Sequence, residues 1–286
     1  MTPPMRAAVL GAGLIGVGLA DLVHRSPLLD CALVVARDAD AAGLRKAADL
    51  GVATTGGGIR ALLEHDEPPR IVFDATDATA HAEHADLLGG TGTLLVDLTP
   101  SNVGHMVVPG VNDADALEHP DLSMISCGGQ AVVPLLNALT QVNDAEYIEI
   151  VTTAASPGVG RSTRLNLDEY VATTQEAVTR FAGVKQVKAM LNISPARPPA
   201  TFRVAVTLVG AALDESLVRE AVLATEQRMR TYVPGYRVAA CVVGAEEAFV
   251  AVEVSATGGR IPAYAGNLEI INSAAVRVAE LYAGQA

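Results

Sequence analysis

Two rhythms of apolar and polar positions divide the 286-residue chain. In its first half, short continuous apolar runs, the mark of strands buried on both faces, alternate with longer stretches of helical character. Ala7–Leu10, Ala32–Val35, Ile71–Asp74 and Leu94–Leu98 are predicted strands. The segment after the first glycines through about Val23, Ala41–Leu50 and Ile59–Glu64 are predicted helices, the last one following a glycine-rich turn at Gly56–Gly58. Such βαβ alternation predicts an α/β fold with a doubly wound parallel sheet, which takes ligands at the C-terminal ends of its strands. Further on the alternation is lost. Tyr147–Thr153, Arg203–Val209, Val238–Val243 and Phe249–Val254 read as strands, and Asn166–Phe181 and Glu215–Met229 as long helices, which predicts a second, α+β domain on an antiparallel sheet. SPGVGRSTR, NISPARPP and GGRIPAYAGN read as loops between them, and a final helix is predicted from about Asn267 to Leu281.

The stretch Leu122–Val132, LSMISCGGQAV, carries the sharpest candidate chemistry. An apolar run leads into Ser126 and Cys127, and glycines precede an apolar segment reaching about Leu139, so the pattern is strand, cysteine, helix. There a thiol meets the free amides and positive dipole end of a helix, which favour a thiolate and can hold a developing oxyanion. Gly128 and Gly129 leave those amides uncovered, and Pro134 is expected in the first helical turn. Cys127 is the candidate nucleophile; the alternative is a small apolar residue in a tight turn.

A second motif, Gly11-Ala12-Gly13-Leu14-Ile15-Gly16, follows one predicted strand, opens a helix and precedes another strand. In this context GxGxxG predicts a dinucleotide site, with glycines for the turn, the pyrophosphate approach and the helix–strand contact. The next strand ends in Ala36, Arg37 and Asp38. An arginine there accommodates the phosphate of NADP or stacks on adenine, so Arg37 leaves NAD and NADP both open.

Composition narrows the field. Half the residues are apolar and 18% are charged, as in a globular protein. A net charge of −12 argues against nucleic acid as a partner. Three scattered cysteines form neither a disulfide framework nor a metal knuckle, and MTPPMRAAVLGAG is expected to be neither signal peptide nor membrane span. A cytoplasmic location is therefore expected. His81 and His84 lack an obvious third ligand and read as ordinary surface residues, so no metal site is expected.

Taken in order, GAGLIG, FDATDATAH, DLTPS, SCGGQA, STRLNLDEY, PPATFR, YVPGY and IPAYAGNLEI span nearly the whole chain. This set resembles the acylating acetaldehyde dehydrogenases, CoA-dependent enzymes that partner 4-hydroxy-2-oxovalerate aldolases. More distantly the chain is similar to aspartate-semialdehyde dehydrogenase and N-acetyl-glutamyl-phosphate reductase. The resemblance implies a Rossmann-type domain over residues 1–127, joined by the C-terminal helix (about 267–286), and a catalytic and dimerisation domain over 128–266. It implies that Cys127 attacks a small aldehyde, that hydride passes to NAD or NADP, and that coenzyme A takes the acyl group from the thioester. It places Gly11, Gly13, Leu14, Ile15 and Gly16 at the pyrophosphate, and Ser162, Asn166, Leu167 and Asn267 nearer the nicotinamide; a cap of the following helix is the alternative for Asn166. A homodimer or higher oligomer, and an aldolase partner, follow from the same resemblance.

Two positions depart from it. The arginine after the double proline is followed in the family by an aspartate thought to act as base towards the cysteine, whereas Arg203 is followed here by Val204. Either the dipole and the nicotinamide charge suffice to form the thiolate, or another group serves, or the chemistry has changed. Between Tyr236 and Phe249, where relatives carry a longer insertion, this chain has only RVAACVVGAEEA.

Overall fold

A computed structural model describes residues 3–285; Met1, Thr2 and Ala286, the outermost residues of the N-terminal stretch and the C-terminal segment read above, lie outside it. Two compact units emerge among the described residues, one of residues 3–124 and 272–285, the other of residues 125–271.

The first unit is built on β1 (Met5–Leu10), α1 (Leu14–His24), β2 (Leu29–Val35), α2 (Ala42–Ala48), β3 (Ala53–Thr55), α3 (Gly58–Leu63), β4 (Ile71–Asp74), α4 (Ala78–Leu88), β5 (Leu94–Asp97), β6 (His105–Met106) and β7 (Asp121–Ser123). Its seven strands run in the order β3-β2-β1-β4-β5-β7-β6, and every pairing is parallel. The central strands are buried on both faces, which is why they read as unbroken apolar runs. Ala8, Leu10, Leu33, Val35, Val72 and Leu95 form one core layer with Ile59 and Leu62 of α3 and Leu88 of α4.

The second unit follows with α5 (Cys127–Thr140), β8 (Tyr147–Ala155), α6 (Arg161–Leu165), α7 (Leu167–Ala182), β9 (Gln186–Ser194), β10 (Phe202–Val209), α8 (Glu215–Met229), β11 (Tyr236–Val243) and β12 (Glu247–Val254); α9 (Gly266–Ala283) starts in this unit and ends in the first. Strand order is β11-β12-β10-β8-β9. The sheet is mixed rather than antiparallel: β8 and β9 pair in parallel because α7 carries the chain back as a crossover. β9 is an additional strand that absorbs the start of the expected NISPARPP loop, and a 3-10 turn at Ser156–Gly158 and α6 occupy the expected SPGVGRSTR loop. Helices α5, α7 and α8 pack together over one face of the sheet.

Two expectations need correction. Pro134 lies well inside α5, not in its first turn. It forfeits one helical hydrogen bond, and burial from Gly128 through Leu136 holds the segment helical regardless. His81 and His84 are buried, not surface residues. From α4 they face three strands' carboxylates: His81 Nδ1 lies 3.0 Å from Asp74 and 3.4 Å from Asp97, its Nε2 3.3 Å from Asp121, and His84 Nδ1 2.7 Å from Asp74. Burial penalises the imidazolium, yet bonds to Asp121 and Asp74 and the charge of Asp97 raise His81 to about 10. Burial lifts Asp97 to about 7, against the charge of His81. Asp74 resists the same burial through its histidine and Thr76 hydrogen bonds and falls to about 2. No helix among the described residues is long and apolar enough to cross a membrane.

Candidate active site

In the first unit, the turn between β1 and α1 shows that its three glycines have different duties. Gly11 has φ +103°, a left-handed conformation that favours glycine, and a Cβ there would lie 2.5 Å from the Ala75 carbonyl oxygen. A Cβ on Gly16 would sit 1.8 Å from the Gly11 carbonyl oxygen. Around Gly13, in contrast, nothing lies within 4 Å. The first intrahelical bond runs from Val17 N–H to the Gly13 carbonyl, so the amides of Leu14, Ile15 and Gly16 open the helix without intrahelical acceptors. Open space, free amides and a helix N-terminus fit a pyrophosphate. Arg37, just beyond β2, is exposed, and its guanidinium makes no hydrogen bond or ion pair among the described residues.

Cys127 belongs to the second unit and is the first residue of α5. Ser126 caps the helix by accepting from Gly129 N–H at 2.9 Å, and its hydroxyl meets Thr174 Oγ1 at 2.6 Å. Just before the cap, Ile125 takes φ +51°. Left-handed backbone costs a β-branched residue on the order of 1–3 kcal/mol and is held here by buried surroundings. Sequence reasoning missed Tyr170, whose hydroxyl lies 3.5 Å from Cys127 Sγ and accepts from Gly128 N–H at 3.0 Å. The signal was present in STRLNLDEY: Tyr170 falls one turn into α7, on its buried side.

The free amides expected of Gly128 and Gly129 are already engaged, by Tyr170 and Ser126 respectively. Their lack of side chains is a packing requirement instead. A Cβ on Gly128 would come 2.4 Å from Thr152 Oγ1 and 2.5 Å from Tyr170 Oη, and one on Gly129 2.8 Å from Ile125 Cδ1. Burial pushes the Cys127 thiol up from its ordinary value; the Tyr170 hydroxyl and the amides of Gly128 and Cys127 pull it down without overcoming that. The helix N-terminus alone therefore does not bring the thiol below its ordinary value.

Val204 is fully buried on β10, opposite Thr152 of β8, and shares the sheet face on which Thr152 crowds Gly128. Its neighbour Arg203 points to the other face and pairs with Glu253. Among the described residues, Tyr170 alone offers a side-chain hydrogen bond to Cys127 Sγ.

The remaining predicted residues stand in the second unit. Asn166 occupies the cap position of α7 without capping it: its amide donates to the Ser162 carbonyl at 2.8 Å, so the capping explanation fails. Ser162 lies in α6, and Leu167 is exposed at the start of α7. Asn267 is buried, donates to the Gly158 carbonyl at 2.8 Å and leaves its Oδ1 without a partner. A buried orphan acceptor fits a ligand carboxamide N–H.

A parallel seven-stranded sheet with a GxGxxG turn, followed by a mixed-sheet unit opening on a helix-borne cysteine, defines the semialdehyde dehydrogenase class of fold. The solved aspartate semialdehyde dehydrogenase II of Vibrio cholerae superposes with a TM-score of 0.70 at 15% identity, over 97% of this chain and 98% of that one. The family described as prokaryotic acetaldehyde dehydrogenase, dimerisation, matches residues 127–262. The acetaldehyde dehydrogenase of Streptomyces griseus is 49% identical over 97% of this chain and 90% of its own length, and that of Geobacillus stearothermophilus is 38% identical over 96% and 95%. The chain belongs to the acetaldehyde dehydrogenase family, a family of oxidoreductases.

Proposed function

We propose that this enzyme oxidises a small aldehyde to an acyl thioester on Cys127 and passes the acyl group to coenzyme A. The observation that carries the reading is Cys127 at the head of a buried helix, its sulfur facing a phenol and backbone amides. The thiolate adds to the carbonyl carbon and gives the alkoxide of a thiohemiacetal, whose oxygen electrons re-form the carbonyl as the hydride departs. When bound, a nicotinamide supplies the two-electron acceptor for the hydride that leaves this carbon. Collapse to the thioester retains the Cys127 Sγ–carbon bond. The thiolate of coenzyme A then adds to the same carbon and expels Cys127, which returns to the thiolate.

Gly13 and the amides of Leu14, Ile15 and Gly16 would hold the pyrophosphate, Arg37 would lie toward the adenosine ribose, and Ser162, Asn166, Leu167 and Asn267 would serve the nicotinamide end. NAD is the proposed cofactor, with measurable use of NADP through Arg37. A homo-oligomer, a 4-hydroxy-2-oxovalerate-type aldolase as supplier of aldehyde, and a cytoplasmic location, suited to three free cysteines, complete the reading.

The test is mass spectrometry of the protein mixed with acyl-CoA, alongside aldehyde-dependent reduction of NAD with and without coenzyme A. Acylation at Cys127 alone, lost together with activity in Cys127→Ser, is the expected outcome. Label on Cys31 or Cys241, or activity retained in the serine variant, overturns the nucleophile. Tight dinucleotide binding with no acyl uptake from any aldehyde or CoA ester would make the protein a binding partner of an aldolase rather than a dehydrogenase.

A further inference from the structure

A thiol that burial disfavours as an anion needs a donor at the sulfur, and the amides of α5 are partly committed elsewhere. The group that reaches Sγ is the Tyr170 hydroxyl. A phenol offers one proton and two acceptor positions, and Gly128 N–H already occupies an acceptor position. That fixes the oxygen and leaves its proton for another acceptor. Tyr170 is also held along the chain: its carbonyl accepts from Thr174 Oγ1 at 2.7 Å, and the same hydroxyl meets the cap residue Ser126 at 2.6 Å. The helix bearing the phenol is thus tied to the segment bearing the thiol at two points.

We infer that Tyr170 is a second catalytic residue: its O–H donates to Cys127 Sγ and holds the thiolate both before attack on the aldehyde and when the acyl group leaves for coenzyme A. This rests on the reading of Cys127 as nucleophile. The proton of the thiol leaves to solvent, and Tyr170 keeps its own throughout, as burial and the nearby sulfur hold its acidity well below that of an ordinary phenol. With Val204 beside Thr152 there is no carboxylate at that register position to take the role.

The experiment is the pH dependence of iodoacetamide alkylation, followed on the Cys127 peptide, in three proteins: wild type, Tyr170→Phe, and protein carrying a fluorinated tyrosine at position 170. Losing a hydrogen bond to a charged sulfur should raise the alkylation midpoint by about one to two pH units in the phenylalanine variant. The more acidic fluorotyrosine, a stronger donor with the same oxygen, should lower it. In turnover, kcat of the phenylalanine variant should fall roughly ten- to a hundredfold at neutral pH and recover above the new midpoint, with the aldehyde KM unchanged. A merely structural role would leave the three midpoints together, and that result overturns the inference. If Tyr170→Phe fails to fold, the comparison of wild type with fluorotyrosine decides alone. Wild type that accepts acyl groups at Cys127 while all midpoints coincide refutes only Tyr170; wild type without acylation refutes the nucleophile itself.

Discussion

At the scale of single residues, identical glycines carry unlike constraints. A methyl group at Gly16 would meet the Gly11 carbonyl oxygen at 1.8 Å, whereas one at Gly13 would meet nothing within 4 Å. Substitution at Gly16 therefore forces backbone apart and should cost at least the ~1–3 kcal/mol typical of overpacking. Gly13→Val should fold almost normally, because the backbone there is extended and a Cβ would meet nothing within 4 Å, yet its branched side chain would fill the space a pyrophosphate needs. Thermal unfolding and NADH fluorescence titration separate the two. Gly16→Val is expected to melt well below wild type, and Gly13→Val to melt near it while binding NADH at least tenfold more weakly. Unchanged affinity in folded Gly13→Val would remove the dinucleotide from this turn.

At the scale of elements, α4 acts as a clamp on the sheet, with His81 and His84 reaching carboxylates at Asp74, Asp97 and Asp121. Its pH dependence follows from the shifts. His81, raised to about 10, contributes stability that is complete below the ordinary histidine value near 6.5 and is lost as pH rises through 10. Asp97, raised to about 7, works in the same direction, its contribution fading between 3.8 and 7. Asp74, lowered to about 2, loses its contribution only as pH falls below 3.8. Wild type should therefore be less stable to urea at pH 9 than at pH 6. His81→Gln should cost about 3–5 kcal/mol at pH 6, the scale for breaking a buried ion pair, and reduce that pH difference. An equal pH difference in both proteins would sink the argument. The cluster was invisible along the sequence because its carboxylates come from three strands that only the fold assembles. The strands themselves were legible, since β1, β4 and β5 are buried on both sides and read as apolar runs. β9 was not: it is an edge strand with polar and half-exposed positions, and a loop-like composition at its end hid it. Cys127 could be placed by its glycines and flanking pattern, whereas Tyr170, 43 positions away, becomes a neighbour only through the packing of α7 on α5.

For the whole molecule, the decisive feature is the second face of the mixed sheet. Side chains alternate across it, so Ile148, Ile150, Val204 and Val206 are buried on one side. Tyr147, Val151, Ala205 and Phe249 point to the other and are only half-buried. Ala205 sits at its centre, paired across to Val151 and Ala251, while Arg203 and Arg237 on Glu253 and Lys188 on Glu149 form a charged surround. An apolar middle with a polar rim is the anatomy of a protein interface. A chain with a net charge of −12 resists casual association, so self-association through this face requires complementary contact rather than general stickiness. Light scattering during gel filtration should give at least twice the chain's 29.4 kDa. Ala205→Arg places a charge at the middle of the apolar strip and should yield monomers at micromolar concentration. Because α5 and α7 pack on the opposite face, iodoacetamide should still find Cys127 in that monomer. A monomeric wild type, or an Ala205→Arg protein as large as wild type, would show that the sheet face is not where copies of this chain meet.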